Sequence, residues 1–210
     1  MSPLYSLNNL LTNTRLKVWL DVAMKEKFVI GVTGMSGSGK ATVKQVAEAM
    51  SYSTIVMGDE VREEAKRRNI EPTPENLGKL TLKIREEEGL AAIAKRCIPK
   101  IENAESSVVI VDGVRSLAEV EEFKKHFKNF TLIAVHASPQ TRFQRLYNRA
   151  RSDAPRDWQT FVDRDMRELN VGLGAVIAMA DYMIVNEGTK EQSKQKAREV
   201  LEDITRKWMK

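Results

Sequence analysis

Five short apolar runs punctuate the chain: Phe28–Thr33, Thr54–Met57, Ser107–Val111, Thr131–Val135 and Tyr182–Val185. Unbroken apolar, partly β-branched character over so few residues is how a strand covered on both faces reads. Between the runs the apolar period lengthens to that of a helix. Val43, Val46, Ala47 and Met50 fall at i, i+3, i+4 and i+7. Leu77, Leu80 and Ile84 form a second stripe, opened by Thr73-Pro74 as N-cap and first helical residue. Leu90, Ile93, Ala94, Cys97 and Ile98 form a third, up to Pro99. Ser116 and Glu119 have capping-box spacing ahead of Leu117, Val120 and Phe123. Ser138-Pro139 opens a helix packed by Phe143, Leu146 and Ala150, and Trp158, Phe161, Val162 and Leu169 tie down the next. Ala197, Val200, Leu201, Ile204 and Trp208 belong to the last. Strands alternating with helices predict a three-layer α/β/α fold around a five-stranded parallel sheet. Residues 58–104 add a helical insertion that either clamps a second substrate or pads the sheet edge.

The first run stops at Gly34-Met35-Ser36-Gly37-Ser38-Gly39-Lys40, and Ala41-Thr42 lead into the helical pattern. Glycines let backbone N–H groups turn inward with no Cβ in the way. The helix N-terminus behind them favours anions through its free N–H groups and dipole. Lys40 reaches the outer phosphates as a point charge, so residues 34–42 read as a cradle for a polyphosphate. Loops of this type carry Ser or Thr directly after the lysine, and that hydroxyl commonly ligands magnesium. Ala41 cannot do so. Either Thr42 substitutes, or the metal is held through water and by another carboxylate.

That carboxylate is expected to be Asp112, at the end of the third run beside the cradle. Asp112-Gly113 is also an ordinary turn pair. Arg115 sits at a helix start, poised to reach an anion. Gly58-Asp59 begins a helix with Asp59 as N-cap, which sets Arg62 one turn in, able to fork onto an acceptor phosphate. Lys66-Arg67-Arg68 reads as a solvated face, and Arg85 and Arg96 are lesser cleft candidates. Arg142 is expected to be solvated or paired with acids. Arg145, Arg149 and Arg151 run into a short polar segment, followed by Arg156, Arg164 and Arg167. Arginines on two helix ends across a brief loop are what a lid over phosphates needs, so residues 149–167 are read as one.

Composition narrows the picture only a little. A hydrophobic fraction of 42% with 30% charged residues is that of an ordinary globular chain, long enough at 210 residues to bury a real core. The net charge of +5 suits phosphorylated substrates and weak nucleic-acid contact equally. The single cysteine, Cys97, lies on an apolar stripe and fits a reducing cytosol. No apolar run approaches 18 residues, so no membrane span and a cytoplasmic location are expected. Residues 1–23 belong to no motif and carry no secretion signal; the main unit is expected to run from Met24 to the C-terminus, with 1–23 an appended, loosely held segment. His126 and His136 are isolated, and no His/Cys metal cluster stands out.

With the cradle, Gly58-Asp59-x-x-Arg62, Asp112-Gly113-x-Arg115 and the arginine lid in this order, the chain resembles adenylate-kinase-type P-loop kinases. Their Asp-Gly-Phe-Pro-Arg segment is matched by Asp112, Gly113 and Arg115 with one residue deleted. The tail Ala180-Asp181…Ile184…Asn186…Gly188 is more similar to dephospho-coenzyme A kinases. The blocks MGDEVREEAKRR, PTPENLGKL, DGVRSLAEVEEF and ADYMIVNEGT look like a family of archaeal adenylate-kinase-related P-loop proteins, from about residue 25 onward. The resemblance implies a P-loop NTPase fold that moves the γ-phosphoryl of ATP, with magnesium, to a nucleoside monophosphate or similar small nucleotide. Lys40, Asp112, Arg115 and Arg151 would serve catalysis, residues 34–42 the ATP, Asp59, Arg62, Arg115 and Arg164 the acceptor, and Thr42 and Asp112 the metal. Two alternatives stand beside this: a dephospho-coenzyme A-like kinase, and an ATPase switch acting on RNA or a protein, with RNA the less favoured partner. The oligomeric state is left open.

Overall fold

The computed structural model describes residues 26–149 and 154–208. The expectations for residues 1–23, Ala150 and Arg151 lie outside them. β1 (Phe28–Thr33) is the middle strand of a five-stranded sheet whose other members are β2 (Ser53–Val56), β3 (Val108–Asp112), β4 (Asn129–His136) and β5 (Tyr182–Val185). All four pairings are parallel and the order is β2-β3-β1-β4-β5. The P-loop α/β/α architecture expected from the sequence is the one found.

Successive β1 residues point to opposite faces. Val29, with Val109, Val111 and Leu132, packs against α2 (Met57–Arg67), α3 (Pro74–Glu88), α4 (Ala92–Glu102) and α5 (Leu117–His126) through Val61, Ile84, Cys97 and Phe123. Ile30 and Val32, with Ile110 and Ile133, pack against α1 (Lys40–Ala49) and the C-terminal α9 (Lys190–Trp208) through Val43, Ala47, Leu201 and Ile204. Between β4 and β5 lie α6 (Pro139–Asn148), α7 (Trp158–Asn170) and the short α8 (Leu173–Ala178), the last not foreseen from the pattern. Cys97 is a core residue, its thiol pushed up to about 12 by burial. Among the described residues no helix is long and apolar enough to cross a membrane.

Local signals set several boundaries as expected. Thr73 caps α3 with Pro74 in its first turn, Ser138 caps α6, and Ser116 and Glu119 form a reciprocal capping box on α5. Other expectations need correction. Asp59 is not an N-cap: β2 passes straight into α2, whose N-cap is Val56, and Asp59 lies in the first turn. With Met57 buried against the sheet, the helix starts three residues early. α4 continues through Pro99 to Glu102, and Leu90 is left outside it and exposed. Leu117 and Leu169 also face solvent, while Val120, Phe123 and Phe161 carry the packing.

Candidate functional site

The register sets the site. Asp112 ends β3 level with Val32 of β1 and Val56 of β2, so the loop after β1, the Asp112 turn and the start of α2 share the carboxyl edge of the sheet. That edge is where open α/β sheets bind ligands. Thr33 Oγ1 donates to Val114 O at 2.7 Å, and Gly113 N donates to Val32 O at 2.9 Å, tying the Asp112 turn to the loop.

Residues 34–42 form a tight nest. Gly34, Gly37 and Gly39 all have positive φ. Gly39, at φ +103°, forms the left-handed N-cap of α1, and an ideal Cβ there would overlap Asn186 Nδ2. The amides of Gly37, Gly39, Lys40 and Ala41 donate to no acceptor among the described residues. Lys40 folds back under the loop, donating to Gly34 O at 2.5 Å and Met35 O at 3.2 Å. Burial pulls its ammonium down to about 8, against the opposing pull of Asp112. Burial likewise raises the Asp112 carboxyl, while Lys40, Lys44 and Arg115 oppose the rise. Asp112 Oδ1 and Ser38 Oγ are buried with no hydrogen-bond partner. Orphaned buried acceptors of this kind call for an explanation, and an ion is one.

Among the described residues no three His, Cys, Asp or Glu side chains cluster as a metal cage. Magnesium does not need one: it binds through one or two carboxylates, substrate phosphates and retained water. Asp112 with its unpaired oxygen fits that chemistry. Thr42, two residues after Lys40, lies half-buried in the first turn of α1.

The structure gathers Lys40, Asp112 and Arg115, since each acts electrostatically on its neighbours. Arg115 is half-exposed at the mouth of the site. Arg62 is exposed and paired with Asp59 three residues away. Arg164 is half-buried, within electrostatic reach of Lys40 and Glu168. Arg85 is not a cleft residue: it is buried against Glu119 at 2.7 Å. Nor is Arg96, which bridges Glu64 and Glu88.

Three further side chains brace the loop, and the sequence reading gave none of them a place in the site. Arg142 is paired with an acid, as the second of its two expected states has it, and is not solvated. It lies buried beneath the loop, donating to Ser36 O, Ala137 O and both carboxylate oxygens of Asp165. Asn186, at the end of β5, donates to Ser38 O at 2.8 Å and accepts from Ser193 Oγ and Arg145. Glu168 accepts from Ser36 N at 3.2 Å and Ser36 Oγ at 2.7 Å, with Arg115 Nη1 at 3.5 Å. Burial would raise its carboxyl, but Arg115, the Ser36 hydrogen bond, Lys40 and Arg164 outweigh burial and hold it below the usual range. The available signal was the spacing Phe161, Asp165, Glu168 at i, i+4 and i+7. It is a helix stripe that mixes one aromatic with two acids, and an apolar-only search passes over it.

The comparisons agree with this geometry. A family model described as an AAA domain matches residues 33–161. Among solved structures, TT1252 of Thermus thermophilus superposes with a TM-score of 0.59 at 17% identity, over 85% of this chain and 98% of that one. A shikimate kinase of Acinetobacter baumannii in complex with shikimate scores 0.55 at 14% identity, over 90% and 99%. A gluconokinase of Sinorhizobium meliloti scores 0.53 at 17% identity, over 89% and 97%. Fold and loop therefore define a P-loop protein with the kinase-like α/β fold. A UPF0200 protein of Hyperthermus butylicus is 49% identical over 179 residues, covering 85% of this chain and 96% of its own. The UPF0200 protein PF1294 of Pyrococcus furiosus is 48% identical over 170 residues, covering 79% and 91%. The chain belongs to the UPF0200 family.

Proposed function

We propose that this protein transfers the γ-phosphoryl group of ATP to a small, nucleotide-like acceptor. The observation that carries the reading is the phosphate loop itself: the amides of Gly37, Gly39, Lys40 and Ala41, which donate to no acceptor among the described residues, around a Lys40 held by loop carbonyls, with Asp112 alongside. Phosphoryl transfer needs alignment and neutralisation of charge more than covalent help. The loop amides and Lys40 hold the β and γ phosphates. When ATP binds, Lys40 exchanges the Gly34 and Met35 carbonyls for phosphate oxygens, which favours its charged form. Asp112, with Thr42, holds magnesium, which supplies further neutralisation of the phosphates. Arg115 and Arg62, flanked by Asp59, receive the acceptor, with Arg164 nearby. Arg145, Arg149 and Arg151 lead into the segment that closes over the site and excludes water. The acceptor-binding role of residues 58–104 belongs to the same proposal.

Lys40→Ala tests it. Loss of one such charge costs about 3 kcal/mol of transition-state binding, roughly a hundredfold in rate. The expected outcome is ATP turnover reduced by at least that factor, with a native circular-dichroism spectrum. Near-normal turnover by this variant, or no calorimetric heat when the intact protein meets ATP and magnesium, overturns the reading.

A further inference from the structure

Among the described residues Glu168 is the carboxylate that hydrogen-bonds the phosphate loop, and the roles above leave it unused. Its helix is firmly placed. Asp165, one turn earlier on α7, is clamped bidentately by Arg142, which also holds Ser36 O. Phe161, a further turn back, lies fully buried beneath the Arg142 guanidinium. The Glu168 side chain, only 10% exposed, is thereby set against Ser36 N and Oγ. A carboxylate offers about four lone-pair directions, and the two Ser36 bonds with the Arg115 contact leave acceptor capacity for one more donor.

We propose that Glu168 is the proton acceptor for the group that receives the phosphoryl, and that this group is a hydroxyl rather than a phosphate oxygen. This rests on the ATP-dependent reading above and specifies its acceptor. Two observations carry it. The cations expected to hold an incoming phosphate already have carboxylate partners, Glu168 for Arg115 and Asp59 for Arg62. A dianionic nucleophile here would meet those carboxylates at close range, and like charges disfavour that. An alcohol has the opposite requirement: it must lose a proton as it attacks, and needs a base within hydrogen-bond reach. Asp112, read above as the holder of magnesium, has Lys40 as its strongest charged neighbour and is thereby committed to the phosphate side. The step balances as follows. The acceptor oxygen bonds to Pγ while the bond from Pγ to the β–γ bridging oxygen breaks, and that electron pair leaves with ADP. The hydroxyl proton passes to a Glu168 oxygen and then to water.

Water is the simplest hydroxyl, so hydrolysis of γ-labelled ATP by the full-length protein is the assay. Glu168→Gln keeps the shape and both Ser36 contacts within reach. Calorimetry with ATP and magnesium is expected to give a Kd within about threefold of wild type, because Glu168 does not hold ATP. Single-turnover hydrolysis is expected to fall about a hundredfold, the size typical of a lost general base. In Glu168→Ala, added formate at constant ionic strength should restore turnover several-fold over chloride. Labelled AMP supplied with unlabelled ATP should yield no labelled ADP. Unchanged hydrolysis by Glu168→Gln with normal ATP binding overturns the assignment while leaving the kinase reading standing. So does a Glu168→Ala loss that formate fails to restore, which is the behaviour of a residue that merely staples α7 to the loop. Wild-type conversion of AMP to ADP overturns the hydroxyl acceptor. Failure of the wild type to bind ATP overturns the broader reading, and this one with it.

Discussion

Arg142 makes four hydrogen bonds from a buried guanidinium: one to Ser36 of the loop, one to Ala137 and two to Asp165 of α7. Removing one member of a buried ion pair leaves the other uncompensated, at a cost of about 3–5 kcal/mol, whereas replacing both with apolar residues is often neutral. Arg142→Ala should therefore lower the stability read from urea denaturation by that amount, and Arg142→Met with Asp165→Leu should recover much of it. The double variant should still bind ATP more weakly, because Ser36 O has lost its strap. A single variant as stable as wild type would show that the pair is not what joins loop to helix.

The inserted helices α2, α3 and α4 are held to one another by charge as well as by Leu80, Ile84 and Cys97. Glu64 of α2 accepts from Arg68 at 2.6 Å and from Arg96 of α4 at 2.8 Å, and also pairs with Arg67. Those hydrogen bonds, Arg68 first and Arg96 second, lower its carboxyl to about 2. A depressed carboxylate contributes stability that is complete above its unfolded value near 4.5 and is lost as pH falls towards 2. The stability gap between wild type and Glu64→Gln should thus be full at pH 6 and close between pH 4.5 and 2, as measured by denaturant midpoints across pH. A gap independent of pH would assign the effect to packing instead.

The sheet brings strands distant in sequence into one edge, so a ligand on that edge should stabilise the entire fold. At a hundred times its Kd, a ligand that binds only the native state adds about 2.7 kcal/mol. For a chain of this size that raises the melting temperature by roughly 5–10 °C. ATP with magnesium should produce this shift in wild type and not in Lys40→Ala, read by thermal melting. An equal shift in both would place nucleotide binding away from the phosphate loop.

Elements specified by neighbours in the chain could be read directly. The glycines of residues 34–42 announce a left-handed, anion-binding turn through their own backbone freedom, and Ser116 with Glu119, or Thr73 with Pro74, satisfy helix ends within four residues. Apolar runs likewise predicted all five strands and their parallel layering, because burial on both faces leaves a mark on composition. The sequence alone could not show that α2 starts at Met57, that α4 runs through Pro99, or that Leu117 faces water. Each of these depends on what the rest of the chain packs against the position. Asp165 against Arg142, Ser38 against Asn186 and Ser36 against Glu168 pair across 23, 148 and 132 residues. Which acid meets which loop atom follows from strand order and helix rotation, and only the folded chain settles those.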